Sequence, residues 1–183
     1  NTAHELGHKT DHVNRMFAQL ALSLPGFGHY NSEHNGRHHI LVATPEDPGS
    51  ARMGESIYAF AMREMPGTVQ GGWKRQLHIL KKRGRPWYHH SNEILQVNAV
   101  TLGVASVLVV LVGWSALPFI VLHHFCCWLG MSSASYVEHY GLMRRKKPNG
   151  RYEPCTPRHS WNATERWSNL LLLHLQRHSD HHA

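Results

Sequence analysis

The stretch ILQVNAVTLGVASVLVVLVGWSALPFIVLHHFCCWLGMSSASYV, residues 94–137, runs for 44 residues without an Asp, Glu, Lys or Arg. As helix it would extend about 66 Å, close to two crossings of a hydrocarbon layer about 30 Å thick. Gly113, Trp114 and Ser115, followed by Pro118, interrupt the apolar run, so the outer turn of a transmembrane hairpin is expected at 113–117. Basic clusters flank the hairpin: Lys81-Lys82-Arg83 with Arg85 before it, and Arg144-Arg145-Lys146-Lys147 after it. By the positive-inside bias both ends belong on the cytoplasmic face. The competing reading is a buried hairpin inside a large soluble protein.

Averages over the 183 residues hide this segregation, because a formal charge of +7 and a mildly negative mean hydropathy would suit a soluble basic protein. A chain of this length supports one sizeable core, and residues 1–183 read as a single catalytic region. The sequence opens on Asn1 rather than Met and closes on His181-His182-Ala183, so a fragment of a longer protein is expected. Cys126, Cys127 and Cys155 form neither a CxxC pair nor a disulfide framework and read as reduced thiols.

The remainder reads as helical, giving an all-α class. Met16, Phe17, Leu20 and Leu24 have helical spacing within a helix from Thr2 to about Leu24, which Pro25-Gly26 ends. Residues 44–49 read as a loop, 51–65 as an amphipathic helix closed by Pro66-Gly67, 73–82 as another short helix, and 164–178 as a final one. Nothing alternates as a strand would.

Eighteen histidines are far more than packing or solubility calls for. His4 and His8 are four apart and would share a helix face, as would His34 and His38, with His39 adjacent. His178, His181 and His182 form a third cluster, and His139 stands where the hairpin returns to the surface. Each group has an acidic neighbour, Glu5, Glu33, Glu138 or Asp180, able to accept a hydrogen bond from the second ring nitrogen of a metal-bound imidazole. Two metals sharing nine imidazoles is the simplest account. The rival is a zinc metalloprotease, since His4-Glu5-Leu6-Gly7-His8 is a literal HExxH. Such a protease needs one further ligand and leaves at least six clustered histidines without a role.

The three clusters resemble the histidine boxes of membrane fatty-acid desaturases, hydroxylases and related monooxygenases. Longer strings narrow this: residues 1–9, 42–48, 136–142 and 175–183 are similar to the alkane 1-monooxygenase family, in order along essentially the whole chain. The resemblance implies a bacterial inner-membrane, multi-pass protein with its metal site on the cytoplasmic side. Two irons would activate dioxygen to hydroxylate a terminal methyl of a medium- or long-chain alkane drawn from the bilayer. Electrons would come from rubredoxin, reduced by an NAD(P)H-dependent reductase, and nucleic acid is not expected among the partners. Carried over, the iron ligands are His4, His8, His34, His38, His39, His139, His178, His181 and His182. A fatty-acyl desaturase or hydroxylase of the same superfamily is the alternative. One departure is visible: the family pattern EHNxGHH reads Glu33-His34-Asn35-Gly36-Arg37-His38-His39 here, with Gly one place early and the ligand spacing intact. Imidazole suits several metals, so the choice of iron rests on the resemblance.

Of the other nine histidines, most read as surface or hydrogen-bonded core residues. His174 lies one helical turn before His178 and is a candidate to support the site. His123-His124, within the second crossing, should face protein rather than lipid.

Overall fold

In the computed structural model, which describes residues 2–171 and 177–181, the regular elements among the described residues are helices, with one isolated antiparallel bridge between Lys146 and Tyr152. The hairpin is formed by α6 (Glu93–Val112) and α7 (Ala116–His139). Asn92 caps α6, its side chain accepting from the amides of Ile94 and Leu95, and Gly113 ends it at φ 89°, a conformation that favours glycine. The turn is shorter than expected, because Pro118 is tolerated in the first turn of α7, where its missing N–H has no helical partner to lose. Both helices are long and apolar enough to cross a membrane, and only 11% of each apolar window is buried. A hairpin core of a soluble protein would be covered, so this one fits a lipid surrounding.

The expected helix from Thr2 to Leu24 is two: α1 (Thr2–Gly7) and α2 (His12–Ser23). Asp11 divides them by accepting from the Asn14 amide at 3.0 Å, a cap that competes with continuous helix. Near the start of α2, Arg15 pairs with Glu93 at 2.5 Å, and at its end Thr101 donates to the Ser23 carbonyl at 2.6 Å, so α2 runs along α6. Its last carbonyls are then taken by α7: His124 donates to Leu24 and Trp128 to Pro25, each at 2.9 Å. His124 thus faces protein, as expected of an imidazole in an apolar crossing. These side chains satisfy orphan backbone groups that lipid could not.

Residues 51–65 and 73–82 do not form two helices. One helix, α5 (Ile57–Lys82), runs through Pro66 and Gly67. An interior proline removes a hydrogen bond and costs about 3 kcal/mol, so packing on both sides must override it. Toward the start of α5, Phe60 meets Tyr136 edge to face at 5.5 Å, and Glu64 accepts from Ser132 at 2.5 Å. Beyond Pro66, Gly71 and Gly72 admit the segment carrying the second histidine box, since a Cβ on Gly72 would stand 2.7 Å from the His29 carbonyl.

That segment comprises α3 (Tyr30–Glu33), a π-helical turn (His34–His38) and α4 (His39–Leu41). Of the last expected helix, the described residues show α8 (Arg166–Leu171) and then Arg177, which at φ −89° and ψ 51° is outside helical geometry, ahead of a 3-10 turn at His178–Asp180. His174, His182 and the Asp180 side chain lie outside the described residues.

Candidate metal centre

Four segments bring the imidazoles together: α1 and the residue after it, the π-turn, the last residue of α7, and the 3-10 turn at His178. The π-turn matters because its i→i+5 pattern lays His39 as well as His38 inward beside His34, which a straight α-helix would not. The His34 ring stacks on His38 at 5.2 Å and meets His39 edge-on at 4.7 Å. All eight described histidines of the expected nine converge. They separate into two groups whose ligand atoms lie within 4.8 Å of one another: His4, His8, His34 and His181, and His38, His139 and His178. His39 joins the first, its Nε2 3.2 Å from that of His34.

Within the first group the ring nitrogens point at one another. His4 Nε2 is 2.7 Å from His34 Nε2 and 3.3 Å from His8 Nε2. Each such pair can be bridged by a single proton, leaving several lone pairs directed at the same space. A cation is what this donor set fits. Burial, reinforced by neighbouring imidazoles, holds His4 down to about 2, and likewise His39 to about 3 and His181 to about 4. The imidazoles are therefore neutral at physiological pH, the state that ligates.

The second group is ordered from outside. Asp47 faces His38 Nδ1 at 3.0 Å while also accepting from Ser50 Oγ at 2.6 Å and the Gly49 amide at 3.2 Å. Burial opposes charge on His38, but the Asp47 carboxylate outweighs it and raises the imidazole to about 9. With the carboxylate on Nδ1, Nε2 is the nitrogen that a metal would take, displacing its proton on binding. His139, fully buried at the end of α7, directs Nδ1 to the His159 carbonyl at 3.5 Å and to Ser160 Oγ at 3.4 Å. Neither Asp47 nor the 159–160 segment was legible as support; the only signal for Asp47 was a carboxylate between two prolines, nine residues after His38.

The acidic neighbours have different placements. Glu5 Oε1 is 3.4 Å from His4 Nδ1 and 3.9 Å from His181 Nδ1, and Glu138 Oε2 is 3.5 Å from His178 Nε2. Glu33 faces Arg37 at 3.8 Å, and burial raises its carboxyl to about 7. Among the unassigned histidines, His29 packs against Phe27 and Trp128, and His159 is held by Thr156 and Glu153, both as structural imidazoles.

A small cavity of about 50 Å³ touches His4, His34, His38 and His178. It shares Phe27, Tyr30, Met131, Ala134 and Glu138 with an open, mainly apolar cleft of about 560 Å³ between α2 and α7. An apolar chain lying along α7 would thus end beside the imidazoles.

Known proteins with similar sequences carry oxidative functions. The chain is 48% identical over its whole length to an alkane 1-monooxygenase of Ectopseudomonas oleovorans, covering 46% of that protein. It is 47% identical to alkane 1-monooxygenase 1 of Alcanivorax borkumensis, again over the whole chain and 45% of the relative. The xylene/toluene monooxygenase hydroxylase component of Pseudomonas putida is 27% identical over 98% of the chain and 47% of its own length. The chain thus spans about half the length of the curated relatives it matches. The family model described as fatty acid desaturase matches residues 1–183, from the first residue to the last, and the chain belongs to the fatty acid desaturase family.

Proposed function

We propose that residues 1–183 are the metal-holding catalytic region of a membrane monooxygenase that converts an alkane to its primary alcohol, with two irons and electrons from rubredoxin. The observation that carries this reading is the convergence of eight imidazoles into two adjoining groups beside an apolar cleft. His4, His8, His34, His39 and His181 would hold one iron and His38, His139 and His178 the other, with His182 completing the nine. Bound iron would supply dioxygen activation, the chemistry that imidazole sites of this superfamily host. The names of the relatives support alkane as the substrate.

The chain's own residues have definable tasks in that reaction. Asp47 and the His159 carbonyl hold the His38 and His139 rings in fixed orientations. Phe27, Met131 and Ala134 present an apolar wall along which a methyl end can approach without water. The basic ends of the hairpin support a position for the imidazoles on the cytoplasmic face of the inner membrane, where a soluble donor reduced by an NAD(P)H-dependent reductase would reach them. A zinc protease is less well supported, because Glu5 lies on the outer nitrogens of His4 and His181, where it steers imidazoles rather than a nucleophilic water.

Metal analysis of the full-length parent in detergent, combined with rubredoxin-driven oxidation of octane, tests this. Two irons per chain and 1-octanol are expected. Stoichiometric zinc, or iron without alcohol, would refute the assignment.

A further inference from the structure

Several arginines are tied into the fold by their side chains. Arg63 is tied to Glu55 at 2.8 Å and to the carbonyls of Pro48 and Ser50. Arg144, from the basic run after the hairpin, donates to the carbonyls of Glu153, Ile40 and Val42. That arginine holds the post-hairpin segment against the second histidine box and is not free for a partner.

A different surface is left uncompensated. Two grooves, of about 400 and 350 Å³, meet at Gly36 and Arg75, outside the π-turn. Lys9, Arg15, Arg37, Lys74, Arg75 and Arg83 line them; Glu93, the one carboxylate in the lining, is taken by Arg15, and Arg37 is paired with Glu33. Among the described residues Lys9, Lys74, Arg75 and Arg83 have no ion pair, and Lys9, Lys74 and Arg83 are exposed. Gly36 is what joins the grooves: a Cβ there would lie 2.6 Å from Arg75 Nε and 3.1 Å from its Cγ, so only glycine lets that side chain lie flat over the turn. The early glycine of Glu33-His34-Asn35-Gly36-Arg37-His38-His39 therefore has a local consequence. It also places the groove floor two residues from both His34 and His38, with one helical turn of backbone between the surface and the imidazoles.

We propose that these joined grooves, centred on Arg75, are the docking surface for an acidic electron-donor protein. The proposal rests on the redox reading above and adds the face through which electrons enter. Each docking would oxidise the donor by one electron and reduce the site by one, so two dockings match the two electrons that one hydroxylation consumes. Like-signed residues crowded around a groove raise the local potential, steer an oppositely charged partner and disfavour others.

The test uses the full-length enzyme in detergent, binding rubredoxin at low and high salt, with iron content read in parallel. Lys74→Glu and, separately, Arg83→Glu should each weaken donor binding at least about tenfold at low salt and flatten its salt dependence, with iron content at the wild-type level. Both lie on the rim, and Lys146→Glu/Lys147→Glu, on the other cluster, should change donor affinity less than about twofold. Wild-type affinity in both groove variants would overturn the proposal. So would loss of binding to vesicles of anionic phosphatidylglycerol with donor affinity intact, which would make the surface a headgroup site. A wild-type enzyme that binds no rubredoxin at all would instead refute the redox reading beneath it.

Discussion

The two imidazole groups are built from the same residue type and differ in what surrounds them. His38, His139 and His178 are buried, and their outer atoms meet Asp47, the His159 carbonyl and Glu138. The Asp47 side chain is 0% exposed. His8, His39 and His181 are only partly buried, and the carboxylate nearest the first group, Glu5, has a side chain 52% exposed. One group is therefore positioned by the fold before any metal arrives. The other consists of neutral rings crowded on one another, and its geometry depends more on being filled. Preorganisation comes from the ring of acceptors behind the ligands, not from the number of imidazoles.

The largest effect should follow from removing a ligand of the preorganised group. His38→Ala or His139→Ala in the full-length enzyme should abolish most alcohol formation and lose one iron per chain, whereas His8→Ala should keep the second group filled. Loss of both irons from His8→Ala would erase the distinction between the groups.

A smaller but more discriminating effect concerns the acceptors. Asp47→Asn keeps the shape and removes the charge, and should weaken metal binding about 10- to 100-fold, the range found for such outer partners. Glu5→Gln, at an exposed position, should cost less than about threefold, because water can replace a carboxylate there. Equal losses in competition titrations against a chelator would break the comparison.

Smallest of all is the expected effect of Ser160→Ala. The His159 carbonyl remains opposite His139 Nδ1, so the tautomer persists, and a change of about 1 kcal/mol or less in thermal stability is expected, the scale of one neutral hydrogen bond. A loss of iron in that variant would show that Ser160, and not the carbonyl, orients His139.

Much of this was legible in residue type and spacing. A run of 44 uncharged residues admits little but a hairpin in lipid, and clustered histidines with HxxxH, HxxxHH and HxxHH spacing admit little but metal. Local signals misled where distant contacts outweighed them. Pro66-Gly67 reads as a helix stop, yet α5 passes through it because Phe60 and Glu64 pack against α7 on one side and Gly71 and Gly72 against the second histidine box on the other. Asp11 acted in the other direction, since an N-cap that periodicity does not weigh split one expected helix into two.

By itself, then, the sequence determined the all-α class, the apolar hairpin and the identity of the converging imidazoles, because period, charge and spacing are properties of neighbours along the chain. Only the tertiary structure decided how those imidazoles divide into two groups, that Asp47 rather than Glu33 stands behind His38, and that Arg75 lies over Gly36 in an uncompensated basic groove. Such relations join residues 9 to more than 100 positions apart, as from His38 to Asp47 and from Ile40 to Arg144. No local pattern encodes them. They follow from which surfaces remain to be buried once the helices have packed.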